Sequence, residues 1–228
     1  MQWLNNLERK FGKYAVPNLM TILIFGMALV FLLDTFTAAN PNYDYYLSDL
    51  LYFDRDLIMQ GQIWRAVTFL FIPPDTNVFF AVFALYFYWL IGKSLDQQWG
   101  SFKFNIYYLI GVIGTILGGI ITGATTNTYL NLSLFLAFAV LFPNFQVLLF
   151  FFIPVKIKYL GMLDGALLLF SLIFSSLPDK IAILVSVLNF ILFFGKDFIQ
   201  KIQMFIRKKK YQKQNHWWED DKNNPWKK

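Results

Sequence analysis

The chain has 228 residues, of which 57% are hydrophobic and only 15% are charged, and its formal net charge is +6. Soluble domains contain roughly a quarter charged residues, so this composition excludes disordered, collagen-like and coiled-coil chains and indicates one integral membrane domain. The sequence has no cysteine and one histidine, His216, which excludes disulfides, thiolate metal sites and mechanisms that require two histidines.

The first 16 residues precede the first apolar stretch and are amphipathic. Trp3, Leu4, Leu7 and Phe11 recur at helical spacing, and charged residues occupy positions between them. This pattern predicts a helix that lies along the inner surface of the membrane.

Stretches without charged residues predict six membrane-spanning helices, and their continuously apolar character argues against alternating β-strands. They are residues 18–33, 76–92, two helices within the 52-residue uncharged stretch 104–155, residues 159–178 with Asp164 as the one charge, and residues 181–195. The turn between the third and fourth helices is expected at 123–128.

The uncharged parts of the first, second and sixth spans contain 16, 17 and 15 residues. At a rise of 1.5 Å per residue, the sixth covers about 22 Å of a hydrocarbon core that is roughly 30 Å thick. Short spans are accommodated by local thinning, so this protein is expected to thin the bilayer around it. Alternatively, the helices extend beyond the uncharged stretches and no thinning is required.

The distribution of lysine and arginine predicts the orientation, because cytoplasmic segments carry an excess of both. Segments 1–16, 92–105, 154–160 and 196–228 hold 17 of the 20 basic residues, which places both termini in the cytoplasm.

The chain is therefore predicted to have three parts: a cytoplasmic segment 1–16, a membrane domain 17–200 and a basic, tryptophan-containing tail 201–228. The tail is expected to bind anionic lipids of the inner leaflet, and the richness in Lys, Asn, Phe and Ile favours a bacterial plasma membrane.

The first external loop, Thr37 to Asp75, is 39 residues long and is predicted to contain amphipathic helical pieces. It ends in the string Gly61-Gln62-Ile63-Trp64-Arg65-Ala66-Val67-Thr68. Trp64 and Arg65 are expected to anchor the loop at the outer interface, with Arg65 paired to a loop aspartate such as Asp54 or Asp56. Alternatively, the loop perturbs lipid and helps to admit clients.

The Gly-Gln-x-Trp-Arg-x-x-Thr string resembles the rhomboid superfamily, which includes intramembrane serine proteases and the inactive derlins. A second string resembles the stretch after the second rhomboid helix: Gly92-Lys93-Ser94-Leu95-Asp96-Gln97-Gln98-Trp99-Gly100, where Asp96 replaces the usual Glu. Residues 148–158 resemble the link between the fourth and fifth helices of that family. The resemblance covers residues 15–200 and implies a rhomboid-like bundle of six helices.

The catalytic parts that the resemblance would imply are missing. Rhomboid proteases carry a Gly-x-Ser-Gly nucleophile, a His base on the sixth helix, and His and Asn oxyanion donors on the second helix. Here Ser133 lies in the fourth helix without flanking glycines, and Phe80 and Ala84 occupy the oxyanion positions. The sixth helix offers only Ser186 and Asn189, and His216 lies in the tail. A serine without a base is a poor nucleophile.

The resemblance therefore implies a pseudoprotease that binds transmembrane or misfolded membrane proteins and holds them, controls their quality or hands them over. One alternative is an intramembrane peptidase with Ser133 as its nucleophile, and another is a small-solute transporter or channel. No metal, cofactor or nucleic acid is expected.

Two further features are intramembrane. Asp164 is expected to pair with Lys158 or water, or to contact a client or move a proton. Gly111, Gly114 and Gly118 share one face of the third helix, which allows close helix packing or lines a client groove. The candidate structural or client-contacting residues are Trp64, Arg65, Thr68, Gly92, Asp96, Trp99, Gly100 and Asp164.

Single cysteines introduced at Ser48, Thr126 and Gln212 test the orientation, because the chain has no other thiol. An impermeant maleimide added to intact cells should label Ser48→Cys and Thr126→Cys and should not label Gln212→Cys. Labelling of Gln212→Cys, or the lack of labelling at Ser48→Cys, contradicts the predicted orientation.

Overall fold

The computed structural model describes residues 2–39, 46–74, 77–149 and 153–194, together with residues 204, 207 and 211. The described chain is predominantly helical. The helices are α1 Gln2–Phe11, α2 Leu19–Ala38, α3 Leu47–Leu51, α4 Arg55–Met59, α5 Arg65–Thr68, α6 Val78–Trp99, α7 Ser101–Thr122, α8 Thr128–Leu141, α9 Ile157–Phe174 and α10 Leu177–Phe194. Short 3₁₀ turns cover Gly12–Tyr14 and Phe69–Phe71.

Two small antiparallel ladders join the connecting segments. β1 (Phe53–Asp54) pairs with β2 (Ala124–Thr125), so the first loop is bonded to the turn between α7 and α8. β3 (Gln146–Leu149) and β4 (Ile153–Lys156) form a hairpin between α8 and α9. The apolar link at 148–158 therefore overlaps a β-hairpin that begins at Gln146, which the sequence did not predict.

Five helices are long and apolar enough to cross a membrane: α2, α6, α7, α9 and α10. These helices identify an integral membrane protein of the all-α class. The fourth predicted span corresponds to α8, which has 14 residues and is shorter than the other five.

The predicted lengths of the first, second and sixth spans are wrong. α2, α6 and α10 contain 20, 22 and 18 described residues and extend beyond the uncharged stretches. Asp34 lies inside α2, and Lys93 lies inside α6, because a charged side chain near the end of a helix can find partners beyond the apolar stretch without breaking backbone hydrogen bonds. At 1.5 Å per residue these helices measure about 30, 33 and 27 Å, close to the bilayer core, so their lengths give no reason to expect thinning.

The short helix α8 lies in the centre of the helix bundle. It packs against α6, α7 and α9, and its buried residues are distributed around most of its circumference: Leu130, Asn131, Ser133, Leu134, Ala137, Phe138 and Ala139. Since its surroundings are largely protein, its 14 residues do not have to match the thickness of the lipid.

Glycines on α7 allow the neighbouring helices to approach closely. A Cβ atom at Gly111 would overlap the Leu130 side chain of α8, and one at Gly114 would overlap Val185 of α10. A Cβ atom at Gly118 would lie 3.2 Å from Ile181. Bundles in lipid gain their stability from such close packing, since lipid tails are as apolar as the side chains.

Hydrogen bonds between α7, α8 and α10 lie in this closely packed region. The Asn189 amide of α10 donates to the carbonyl of Tyr107 on α7 at 3.2 Å, and Ser186 donates to the carbonyl of Tyr129 on α8 at 2.6 Å. The Tyr107 hydroxyl bonds to the hydroxyl and to the carbonyl of Ser133 on α8. Each pair of these helices is thereby joined, and such bonds contribute about 1 kcal/mol apiece within a membrane.

The N-terminal helix is attached to the start of α7. Leu4 is buried, Glu8 forms an ion pair with Lys103 at 3.2 Å, and the Asn105 amide donates to the carbonyl of Val16 at 3.1 Å. Leu7 and Phe11 remain exposed on this amphipathic helix.

The chain divides into two compact units, 1–190 and 191–228. In the second unit the structure describes Ile191–Phe194 and residues 204, 207 and 211. His216 and the remainder of the predicted tail, including its tryptophans, lie outside the described residues.

Gly111→Ala should destabilise the bundle by about 1–3 kcal/mol, because the added methyl overlaps Leu130 and lies 3.0 Å from the Asn189 amide nitrogen. Gly165→Ala is the matched control, since the nearest neighbour of its new methyl is Leu136 at 4.0 Å. It should be neutral, or stabilising by up to about 1 kcal/mol. Thermal melting in detergent checks both; equal melting temperatures would contradict the packing argument.

Candidate functional site

The loop motif forms the cap of a short helix. The Trp64 indole donates to the carbonyl of Leu50 at 3.2 Å, and the Thr68 hydroxyl donates to the carbonyl of Leu51 at 2.9 Å. The last four carbonyls of a helix have no partner within that helix. The motif therefore satisfies backbone groups at the C-terminal end of α3.

Arg65 completes this cap from a buried position. Its side chain is 3% exposed, and one guanidinium nitrogen donates to the carbonyls of Asp49 at 2.9 Å and Tyr52 at 3.1 Å. Nε donates to the Gln62 side chain at 2.7 Å, and the guanidinium lies 5.3 Å from the centre of the Tyr52 ring. A cation at this end also complements the partial negative charge of the helix C-terminus.

The predicted pairing of Arg65 with Asp54 or Asp56 is wrong. The Asp54 carboxylate caps α4 by accepting from the backbone nitrogens of Asp56 at 2.9 Å and Leu57 at 3.0 Å. Asp56 pairs with the exposed Arg55 at 3.1 Å. Both carboxylates are engaged by close sequence neighbours, which leaves carbonyls as the acceptors for Arg65.

The N-terminal end of α3 is held by Asp34, which the sequence analysis did not identify. Its carboxylate accepts from the backbone nitrogens of Leu47 at 2.6 Å and Ser48 at 3.3 Å. The sequence feature that could have identified Asp34 was a single acidic residue near the end of an otherwise apolar helix. Its acceptor role is favoured because the N-terminal nitrogens of a helix carry positive partial charge.

Asn127 attaches the loop to the bundle and was also missed. Its amide nitrogen donates to the carbonyls of Phe69 at 3.2 Å, Leu70 at 3.3 Å and Ile72 at 2.9 Å. Phe53 is buried beside Gly119, where a Cβ atom would overlap its ring. These contacts place α3, α4 and α5 over one end of α7 and α8.

The second motif forms the junction of α6 and α7. Gly100 has φ = 84°, which disfavours any other residue there, and its nitrogen donates to the carbonyl of Asp96 at 2.9 Å. The Trp99 ring lies 5.4 Å from the Tyr107 ring, and a Cβ atom at Gly92 would overlap Met20 of α2. Asp96 Oδ1 is buried and bonds to none of the described residues.

Asp164 lies on the buried face of α9, which packs against α8. It is 7% exposed, and its Oδ2 has no hydrogen-bond partner among the described residues. The ammonium of Lys158 instead lies 4.9 Å from the centre of the Tyr159 ring, so the predicted pairing with Lys158 is not formed. A buried carboxylate without a partner is costly.

Ser133 occupies a packed position. It is fully buried, and both its hydroxyl and its carbonyl bond to Tyr107. The hydroxyl therefore contributes to the contact between α7 and α8. Phe80, at the expected oxyanion position, lies on the exposed side of α6.

An apolar groove of about 820 Å³ runs along α6. One wall consists of α6 residues that include Val82, Phe83 and Tyr86, and the other contains Phe145–Leu148 at the start of the hairpin. Phe83 stacks on Phe87 with ring centres 6.1 Å apart. Glycines 111, 114 and 118 contact other elements and are not part of this lining.

No protein-family model matches this sequence, and comparison with curated proteins finds no match either.

Arg65→Ala should lower the free energy of unfolding by about 2–4 kcal/mol, because it leaves the carbonyls of Asp49 and Tyr52 without their donor. Arg65→Lys should recover only part of this loss, since an ammonium lacks the planar fork of donors. Arg55→Ala is the matched control. Its side chain is 43% exposed in its ion pair, and its removal should cost no more than about 0.5 kcal/mol. Melting temperatures in detergent measure all three; equal losses for both arginines would contradict the capping role.

Proposed function

We propose that this protein is a rhomboid-like pseudoprotease that binds single transmembrane helices of other proteins in the groove along α6. The two loop strings and the link at 148–158 support the family proposal. α2 and α6 to α10 would supply the six helices of the bundle, with α8 as its short central member.

The observation that carries the proposal is the concave, apolar surface of α6. Val78, Val82 and Tyr86 recur at every fourth position and are all more than half exposed. Exposure alone is ordinary for a membrane helix, but a concave lining surrounds a bound helix on two sides. A helix in the groove gains more side-chain contact than lipid tails provide, and such packing drives association in membranes.

Aromatic residues suit this groove to clients of varied sequence. Phe79, Phe83, Tyr86 and Phe87 contribute large surfaces with few rotatable bonds. They offer contact area without demanding one pattern of hydrogen-bond donors and acceptors. This tolerance of varied sequences fits a protein that holds misfolded or unassembled membrane proteins for quality control or handover.

The proposed activity requires no peptide hydrolysis. Ser133 is fully buried and bonded to Tyr107, and the sequence has no histidine before position 216. A nucleophilic serine needs a base within hydrogen-bond reach and an accessible hydroxyl. Holding a client helix needs only the groove.

The proposed setting is a bacterial plasma membrane with both termini in the cytoplasm. The charge distribution supports this orientation, in which the loop 37–75 faces outward and the β3–β4 hairpin faces the cytoplasm. Basic residues near α1 and in the tail would then contact anionic headgroups of the inner leaflet.

Photocrosslinking with a synthetic single-span peptide, a Leu/Ala helix of about 20 residues, tests the groove directly. Benzoylphenylalanine at Phe83 should capture this peptide in lipid nanodiscs, and Val82→Trp should reduce capture about tenfold by filling the groove.

Ile22→Trp is the matched control. It places the same bulk on α2, at a position that is 53% exposed, against 60% for Val82. Capture should stay within about twofold of the unmodified protein. Failure to capture the peptide at Phe83, or equal effects of the two tryptophans, would refute the groove as a client site.

A further inference from the structure

The β3–β4 hairpin presents to the groove an edge that pairs with none of the described strands. Gln146, Val147, Leu148 and Leu149 pair with Lys156, Val155, Pro154 and Ile153, respectively. The nitrogen of Ile157 donates to the carbonyl of Phe145 at 2.8 Å, one step outside this ladder. That bond fixes which backbone N–H and C=O groups of β3 point toward β4 and which point away from it.

In an antiparallel ladder, hydrogen-bonded and non-hydrogen-bonded pairs alternate. Since Phe145 and Ile157 are bonded, Val147 and Val155 form the next bonded pair, and Leu148 and Pro154 are a non-bonded pair. The backbone N–H and C=O groups of Gln146 and Leu148 therefore point away from β4. They form no hydrogen bond with any described residue.

The two outer edges of the hairpin differ. The outward position of β4 opposite Leu148 is Pro154, which has no N–H and blocks the addition of a strand. The outward edge of β3 has no such residue, and the same residues, Phe145 to Leu148, line the groove together with α6. The free edge therefore lies beside the apolar surface and not on the blocked side.

An unpaired edge next to an apolar groove favours one kind of occupant. The edge gains from a partner whose donors and acceptors have the same regular spacing, since its own outward groups bond to none of the described residues. An extended peptide supplies that pattern and adds to a sheet edge through its main chain. Leu90 of α6 and Leu148 line one groove, so a helix lying on α6 can continue directly into such a segment.

We infer that β3 binds the extended segment adjoining a client's transmembrane helix by adding it as a third strand to the hairpin. This inference builds on the proposed function, since the helix occupies the groove and the adjoining segment occupies the edge. Recognition of the adjoining segment occurs through its backbone, so it requires an extended conformation more than a particular sequence. Proline-rich and N-methylated segments cannot bind in this way.

The test uses the full chain in nanodiscs and two synthetic peptides. Each has a Leu/Ala helix of about 20 residues followed by a Thr-Val-Thr-Val-Thr-Val segment, with one photoreactive group in the helix and another in the segment. The second peptide carries N-methyl groups on all six residues of its segment. The unmethylated segment should crosslink to β3, and methylation should reduce this yield about tenfold while the helix still crosslinks to α6.

Two proline variants are matched on the protein side. Leu148→Pro removes an outward N–H from β3 and leaves the inward bonds of Val147 intact. Lys156→Pro removes an outward N–H from β4, at a residue whose φ of −72° already suits proline. Leu148→Pro should reduce crosslinking of the segment about tenfold, and Lys156→Pro should change it less than about twofold.

The outcomes separate this inference from the proposed function. If the helix crosslinks to α6 but methylation has no effect on the segment, the groove remains supported and the strand addition is overturned. If neither part of the peptide crosslinks, both proposals fail. A crosslink between the β3 strands of two protein copies without peptide would assign the edge to a second copy and would also overturn the inference.

Discussion

Backbone groups that a membrane protein withdraws from water must find partners within the protein, and this constraint governs the short helices α3, α4 and α5 between α2 and α6. α3, α4 and α5 contain five, five and four residues, too few to be stable as isolated helices. α3 is held between Asp34 at its first nitrogens and Arg65 at its last carbonyls. α3 forms because Asp34 and Arg65, which lie on either side of it in the chain, supply the hydrogen bonds that a short helix lacks.

The same constraint operates inside the bundle, where it combines with close packing. The Asn189 amide reaches a backbone carbonyl of α7 next to Gly111, a position without a Cβ atom. A larger residue at Gly111 would press on both Asn189 and Leu130. Gly111 and the hydrogen bond therefore depend on each other. The glycine lets α10 approach α7 closely, and the Asn189 amide forms its hydrogen bond across this short distance. This central contact also explains how the 14-residue α8 can be enclosed by protein.

The existence of the apolar helices could be predicted from the sequence, because long uncharged stretches have few other structures available to them. The ends of these helices could not be predicted, since α2 extends through Asp34, whose carboxylate accepts from the backbone of α3, and α6 extends through Lys93. The motif around Arg65 was identifiable, but its acceptors were not. Carbonyl groups carry no sequence signature, whereas Asp54 and Asp56 were conspicuous and proved to be engaged locally. Asn127 looked like an ordinary turn residue, because its carbonyl acceptors also have no sequence signature.

The groove and the free edge of β3 depend on tertiary placement and on ladder register, which no local pattern encodes.

The hydrogen bonds around α3 join residues close in sequence, with separations of 13 for Asp34 to Leu47 and 16 for Arg65 to Asp49. The contacts that fasten the loop to the bundle are distant, 58 residues for Asn127 to Phe69 and 72 for Phe53 to Thr125. During synthesis on the ribosome, the loop can therefore acquire its internal shape once α5 has emerged, before α7 and α8 exist. The loop would then be folded before its partner residues in the turn after α7 have been synthesised, and it would pack against them once they appear. The order of translation thus separates the folding of this lobe from its attachment.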